Sequence, residues 1–447
     1  GIDSAATQVE QAQQTVRALA LTNIEIRHQS VADALPEAAP FDYIICHGVY
    51  SWVTPDMQEA ILRACRAHLA QQGVAYISYN TYPGWKMREV VRDTMMYHTQ
   101  ALAQPQERMQ QARAILQFVQ EVSDERNAFG KLLREEAAVV AKSADYYLYH
   151  DYLATDNRPC YFREFMERAH AHELGYLGEA LLADMAPQRH GDKIFSTVQK
   201  LSNGNILATE QYMDFFRNRS FRRTLLVHQA CLAQVRRNIS PDGLRQFFFT
   251  SSFLPTRAAV PESVEELEFR QPSGAAIKTA MPLLKALLLS LAGAFPRPLG
   301  YADVLAAVKG RLHTNAKAEP DLSNLNDHLV RFVVDNVVQL HLEVPQMGRA
   351  GDNKPRAFGP ARLAAERGAT VQTNWRHESV ALNLVEAQLL ALIDGHRTHD
   401  ELKEIMVERA AKRGYTLMKD NIQLTDPQEI WPIVNTLVAD SLLKFEK

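Results

Sequence analysis

Apolar and polar positions follow their clearest pattern between residues 41 and 85: apolar run, polar-aromatic loop, amphipathic segment, second apolar run, second polar-aromatic loop. The run at 41–46 (FDYIIC) has strand length and β-branched content, and reads as a strand buried on both faces. Thr54 and Pro55 place an N-cap and a first-turn proline ahead of Met57, Ile61, Cys65 and Leu69. Their four-residue spacing puts one apolar face on a helix. Gly73 stands where a left-handed cap would end that helix, and 74–79 is a second strand. Strand, helix, strand predicts a right-handed βαβ unit, whose ligands lie beyond the carboxyl ends of the strands. Those ends carry His47, Gly48, Val49, Tyr50, Ser51 and Trp52 in one loop, and Tyr79 to Trp85 (YNTYPGW) in the other. A site is expected there.

The flanking pattern fills out the chain. Val9, Ala12, Val16 and Leu19 predict a helix, 24–27 a short strand and 29–33 a loop. After Trp85 the spacing is helical for some sixty residues, with Pro105 and Gly130 read as breaks. Residues 96–145 are therefore expected as a helical insertion that covers a substrate, forms a dimer or simply buttresses the fold. Helices at 163–172 and 212–216 alternate with strands at 175–182 and 223–228, closing a sheet domain made of 1–95 and 146–230. Past a turn at 240–243 come strands at 246–253 and 266–269, a hairpin turn at 272–274, helices at 282–292, 301–312 and 325–338, and a strand at 340–344. That order predicts a winged-helix-like α+β domain over 231–346. Residues 347–360, rich in Gly, Pro and charge, read as a linker. A second winged-helix-like domain over 361–447 has helices at 385–392, 398–413 and 427–441, a turn at Asp394-Gly395 and a last strand at 442–445.

Composition changes this picture little. A chain of 447 residues is too long for one core, and 46% hydrophobic with 23% charged residues is the make-up of a soluble globular protein. No apolar run approaches the roughly 20 residues that cross a bilayer, so no membrane insertion is expected. The net charge of −3 gives no general drive toward nucleic acid. Cys46, Cys65, Cys160 and Cys231 form no CxxC pair, and read as reduced thiols in the cytoplasm. Arg217, Arg219, Arg222 and Arg223 are either a face for an acidic partner or, preferably, a solvated helix end with local carboxylates. Glu167 and His170 have the spacing of half a di-metal site but lack a second such pair, so no metal is expected.

Gly1-Ile2-Asp3, the loop Gln29-Ser30-Val31, FDYIICHGVYSWV and GVAYISYNTYPGW together resemble class I S-adenosylmethionine-dependent methyltransferases. More narrowly they resemble the bacterial subgroup that carries a methyltransferase regulatory domain, as do the runs at 150–180 and 211–228. The rickettsial protein-lysine methyltransferases are similar in layout. The resemblance implies a Rossmann-like sheet and an S-adenosylmethionine cofactor. Asp3 would bond its ribose, Ser30 and Val31 would border the adenine, and His47 and Gly48 would lie beside its methionine part. Tyr50, Trp52, Tyr79, Asn80, Tyr82 and Trp85 would line the acceptor side, with His47. Asp3 reads equally as a helix N-cap, and each aromatic taken singly reads equally as core. The strand and glycine-rich turn that precede such an acid are not in the sequence. The chain is therefore expected to begin inside a domain, at its second strand, and to lack part of the cofactor site.

The chemistry gives these residue types a reason. Methyl transfer from a sulfonium is an in-line displacement, so most of the catalysis is positioning. A lysine amine attacks only when neutral, and its free pKa is about 10.4. Burial and a neighbouring positive charge lower that value, while aromatic faces favour a cationic substrate and product. Relatives acting on exocyclic or amide nitrogens carry Asn-Pro-Pro-Tyr after this strand; here the run is His47-Gly48-Val49-Tyr50, which leaves an aliphatic amine or a small molecule as acceptor. The reading preferred is methyl transfer to lysines of a protein substrate, with a homodimer possible through the insertion. The alternatives are a small-molecule methyltransferase, and a winged-helix nucleic-acid-associated regulator with an inactive core.

Overall fold

A computed structural model describes residues 1–33, 40–237, 241–261, 263–312, 322–344, 351–412, 418–419, 422–424 and 426–446. The chain divides into two units, one of Gln29–Asn238 and one of Asp3–His28 with Ile239–Lys447.

In the second of these, β1 (Ile2–Asp3) and β2 (Arg27–His28) pair across α1 (Ala6–Ala18). The strand expected at 24–27 is shifted, because the Glu25 carbonyl takes the amino terminus of Gly1 (2.7 Å) and the Ile26 carbonyl takes the Gln13 amide (2.9 Å). The sequence places residues 3–28 in the sheet domain, whereas they group with the C-terminal half, where Leu19 closes on the open side of Gly359.

The unit of 29–238 is built on the expected βαβ. β3 (Phe41–Cys46) and β4 (Leu69–Asn80) are parallel neighbours joined through α2 (Pro55–His68), which Pro55 opens. Ile61, Leu62, Cys65 and Leu69 bury the helix face against Ala75, Ile77 and Leu226 of the sheet. Two expectations change. β3 is buried on one face only: Ile44 and Cys46 pack inward, but Tyr43 and Ile45 are 71% and 73% exposed, because β3 is the edge strand in the order β3, β4, β6, β5. Gly73 is not a left-handed cap. It lies inside β4, where a Cβ would stand 2.8 Å from the Phe41 carbonyl, at a register shift between the two strands.

The insertion comprises α3 (Trp85–Thr99), α4 (Pro105–Val122), α5 (Ala128–Lys142) and α6 (Asp145–Leu153), around Val91, Met95, Leu116, Leu133, Leu148 and Tyr152. Pro105 opens a helix as expected. Gly130 does not break one: it sits in the first turn of α5, where the Asp124 backbone leaves no room for a side chain and Asn127 caps its N–H at 2.8 Å. The sheet is completed by α7 (Phe162–Ala171), β5 (Leu174–Glu179), α8 (Asp192–Ser202), α9 (Ile206–Arg217) and β6 (Phe221–His228). β6 runs antiparallel between β4 and β5, with Phe221 opposite Asn80 and Thr224 opposite Ile77. The start of β6 thus lies beside the end of β4.

Beyond 240, the first residue of the expected turn lies outside the described residues, and Pro241–Gln246 is a tight 3-10 turn. β7 (Phe248–Thr250) is therefore shorter than expected; β8 (Leu254–Pro255), β9 (Leu267–Arg270) and β10 (Ala276–Thr279) form a separate sheet. α10 (Pro282–Ala294), β11 (Leu299–Gly300), α11 (Tyr301–Leu312), α12 (Leu325–Val334) and β12 (Gln339–His341) close a core around Phe249, Leu287, Val304 and Leu329. Of the expected linker, 347–350 lie outside the described residues, and its end already enters α13 (Gly359–Glu366). A hairpin of β13 (Val371–Thr373) and β14 (Ser379–Ala381), not foreseen, precedes α14 (Leu384–Leu392) and α15 (His399–Ala411). Residue 413, the expected end of that helix, lies outside the described residues. β15 (Met418–Lys419) and β16 (Ile422–Gln423) form a small wing before α16 (Pro427–Glu446). The strand expected at 442–445 is helix, because Ile430, Val434, Val438 and Leu442 continue one buried stripe at four-residue spacing. No helix of the described residues is long and apolar enough to cross a membrane.

The loop after β4 is fixed to the entry of β6. The Thr81 and Gly84 N–H groups donate to the Ser220 and Arg219 carbonyls at 2.9 Å each, and the Tyr82–Pro83 peptide is cis. A Cβ on Gly84 would meet the Arg219 carbonyl carbon and oxygen at 2.6 Å. Gly84→Ala is expected to destabilise the protein by about 1–3 kcal/mol through this overpacking, read as a lower urea midpoint at unchanged slope.

Candidate active site

The two loops of the βαβ unit meet. Gly48, at φ +69°, donates its N–H to Ser78 Oγ at 2.8 Å, and His47 Nδ1 lies 3.0 Å from the same hydroxyl and 3.1 Å from Tyr76 Oη. Ser51 Oγ accepts the Asn80 N–H at 2.8 Å, so the loop after β3 is bolted to β4 at two points, each through a serine. Trp52 meets Trp85 edge-on, with ring centroids 6.1 Å apart, and lies 4.3 Å from the His150 ring of the insertion.

Burial then sorts the residues expected to line the acceptor side. Tyr50 and Tyr79 have no usable surface: both pack on Phe165 in the sheet core, and the Tyr79 hydroxyl bonds Thr224 Oγ1 at 3.1 Å. Burial holds both phenols far above their ordinary pKa. Asn80 is buried against Asn157 (3.1 Å), and Trp85 is buried at the start of α3. Burial makes these four framework: Tyr79 and Asn80 end β4 in the core, Tyr50 opens a 3-10 turn packed on that core, and Trp85 opens α3. His47 and Gly48 are exposed, while Trp52 and Tyr82 are half-buried.

The residues around Tyr82 were not singled out in the sequence. Its hydroxyl donates to Glu89 at 2.6 Å, its ring lies 5.3 Å from that of Tyr161, and Tyr161 lies 5.9 Å from Phe215. Burial first, and the Glu89 carboxylate second, push the Tyr82 hydroxyl pKa up. Glu89 stands on the first turns of α3 seven residues after Tyr82, a local signal; Tyr161 and Phe215 arrive from α7 and α9, and only the fold brings them in.

For a cofactor, residues 29–33 and 47–48 are the relevant parts of this unit. Ser30 Oγ lies 4.0 Å from Met57 Sδ at the start of α2, its N–H donates to Asp33 Oδ2 at 3.1 Å, and Val31 packs on the sheet core. A Cβ on Gly48 would meet nothing within 4 Å, so the turn at the end of β3 is open. A half-buried hydroxyl loop and an open glycine turn are residue types that fit the base and amino-acid ends of a nucleoside-type ligand. Asp3 belongs to the other unit, where its carboxylate accepts the Ala5 N–H at 2.7 Å ahead of α1.

The arginines overturn an expectation. Arg222 is wholly buried, bonded to Glu179 (2.6 Å), Asp214 (2.8 Å) and Glu210 (3.1 Å), and it lies 3.9 Å over the Phe162 ring. Arg219, also buried, pairs with Asp184 at 3.1 Å, and Arg217 and Arg223 reach the same carboxylate at 3.2 Å each. The expected local carboxylates are there, but Arg219 and Arg222 are not solvated, because β5 and α9 close over them; Arg217 and Arg223 keep partial exposure. Glu167 is an exposed partner of Arg163 (3.3 Å), and among the described residues no cluster is placed to hold a metal. The four cysteines are free, and burial pushes Cys46 to about 11 and Cys65 and Cys160 to about 12.

Burial also raises Glu210 from 4.5 to about 7, against the pull of Arg222. A carboxyl whose folded pKa is raised favours folding while it is protonated, so this stabilisation is complete below about 4.5 and lost as the pH rises through about 7. Glu210→Gln is expected to flatten that loss. Urea midpoints between pH 4.5 and 8 check it: the wild-type midpoint falls relative to the variant.

Comparison with known proteins gives three family matches along the chain. Residues 1–73 match a methyltransferase domain, 144–228 a predicted methyltransferase regulatory domain, and 353–447 the C-terminal winged helix domain of PKMT. The uncharacterized protein RP789 of Rickettsia prowazekii is 30% identical over all of this chain and 81% of its own length. The structure of PKMT2 from Rickettsia typhi superposes with a TM-score of 0.87 at 29% identity, covering 100% of this chain and 88% of that one. The same enzyme in complex with AdoHcy gives the same TM-score over 87% of its chain.

Proposed function

The chain belongs to the class I S-adenosylmethionine-dependent methyltransferases that carry a regulatory domain and a C-terminal winged helix, and we propose that its acceptor is the lysine side chain of a protein. Its cofactor is S-adenosylmethionine, which when bound supplies a sulfonium methyl group. We assign Ser30, Val31, His47 and Gly48 to holding that cofactor.

One observation carries the acceptor: half-buried Tyr82, paired with Tyr161 and Glu89, stands on a loop anchored at both ends beside an open turn. Two ring faces receive a long cationic side chain, and partial burial favours its neutral, nucleophilic form. The Tyr82 hydroxyl is already spent on Glu89, so its contribution is the ring, and His47 is the exposed base that can take the amine proton. Exposed Phe215 and Phe221 beside these loops give an open rim, which supports a protein over a small molecule as substrate. The nucleic-acid reading loses its one basic run, since Arg219 and Arg222 are committed to carboxylates.

The proposed division keeps the sheet domain (1–95 and 146–230), the insertion (96–145), the middle domain (231–346) and the C-terminal domain (361–447); separate cores support the four parts, and residues 1–28 are counted with the sheet on the methyltransferase-domain match over 1–73, not on packing. The last two would grip the substrate. Exposed Tyr97, Phe118, Val122 and Tyr146 on the insertion support its use as a dimer contact. Free cysteines suit a cytoplasmic reaction.

The test is transfer of labelled methyl groups from S-adenosylmethionine to lysine-containing polypeptides, with mass spectrometry locating the modified side chain. Label on lysine is expected; label only on free small amines, or on other side chains, would overturn the assignment. Tyr82→Leu is expected to lower kcat/KM for the polypeptide about 5- to 30-fold, the loss of a roughly 1–2 kcal/mol cation–ring contact, whereas Tyr82→Phe keeps the ring and most of the rate.

A further inference from the structure

Lys86 occupies an odd place. It is the second residue of α3, where the helix dipole disfavours a cation, and it makes no ion pair among the described residues. Glu89, the acid nearest in sequence on the same helix, accepts the Tyr82 hydroxyl instead. What Lys86 does have is aromatic surface: its Nζ stands 4.5 Å from the centre of the Tyr82 ring and 6.0 Å from that of Tyr161. Phe215 continues the wall, and the ammonium itself is exposed. An unpaired ammonium poised over two tyrosine faces is the arrangement that recognises an alkylammonium ligand.

From this we infer that Tyr82 and Tyr161 form a cation site for a substrate's ammonium or methylammonium group, and that Lys86 is its resident occupant, displaced when a ligand enters. This deepens the lysine reading above and rests on it for the identity of the ligand. The cation site itself does not depend on methyl transfer. Among the described residues no carboxylate holds Lys86, so its departure breaks only ring contacts that the incoming cation restores. The exchange is nearly balanced, and Lys86 acts as a weak internal competitor. It lowers apparent affinity for every cationic ligand by the same factor.

The probe is tetramethylammonium, titrated into the whole chain and followed by tyrosine ring shifts in NMR spectra. Lys86→Met removes the charge while keeping an unbranched stem. It is expected to bind tetramethylammonium about two- to five-fold more tightly than wild type, the factor corresponding to one exposed cation–ring contact. Lys86→Arg should bind as wild type does, and Tyr161→Leu added to Lys86→Met should abolish the gain. Equal or weaker binding by Lys86→Met, with a wild-type unfolding midpoint showing that it is folded, would overturn the inference. In the polypeptide assay the same variant should lower KM by a similar factor with kcat kept. If no lysine substrate is found but the titration behaves as expected, the cation site stands and the acceptor assignment falls; if lysine is methylated and the titration does not, the reverse holds.

Discussion

Arg222 sits without solvent among Glu179, Asp214 and Glu210, and the end of the sheet that carries the site is built around it. Removing one partner from such a cluster costs about 3–5 kcal/mol, because the charges left behind have no water. Each carboxylate arrives on a different turn: Glu179 ends β5, and Glu210 and Asp214 lie one turn apart on α9. Arg222 is also the strand partner of Tyr79, the inward residue just before the acceptor loop. Thr224 extends the cluster, within 3.1 Å of both Glu179 Oε1 and Tyr79 Oη. The position of β4's last residues is therefore set by charge neutralisation two strands away. Burial first, and the neighbouring Glu179 and Asp214 carboxylates after it, hold the proton on Glu210 to about 7 against the pull of Arg222 and Arg219.

On that base the acceptor loop alternates between fixed and free. Tyr79, Asn80 and Thr81 are buried, Tyr82 and Pro83 rise to half exposure, Gly84 and Trp85 are buried again, and Lys86 emerges. Glycine is required at 84 because the backbone of Arg219 runs against it, so the same turn that delivers Arg222 to the core also clamps the loop. Two residues stand up between two anchors. That is the economy a positioning catalyst needs, since an acceptor misplaced by an ångström loses most of the advantage of being bound.

The sequence made the periodic parts of this legible. Four-residue spacing found α2, period and β-branching found β3 and β4, and their order located both loops. What it could not weigh was whether a residue's surroundings come from far along the chain. Gly73 has the local signature of a cap, but the register of β3 against β4 decides its conformation. Leu442 to Phe445 have strand composition, yet Leu442 completes a stripe that begins at Ile430 and only makes sense against Leu389 and Leu402. The arginine run has the look of a solvated helix end, and nothing nearby announces that Glu179, some forty residues back, will meet it. Tyr50 and Tyr79 carry the right chemistry for a site, but both side chains are taken up by the core around Phe165.

The site itself was half legible for a related reason. Residues on one loop are read together because they are adjacent, so Tyr82 and Trp52 were visible, while Tyr161 and Phe215 come from helices 79 and 133 residues later and carry no motif of their own. Yet the second ring is what turns Tyr82 from a surface aromatic into one wall of a cleft. A single exposed ring holds a cation by only about 0.5–1 kcal/mol, whereas a second ring with its centroid 5.3 Å away adds its own attraction and sheds more of the cation's hydration. For the amine acceptor we propose, the same pairing would act twice: partial dehydration would favour the neutral amine, and the ring faces would favour the cation that forms when a methyl group is added. The two tendencies apply at different moments, before and after transfer, so one pair of tyrosines suits both the nucleophile and its product.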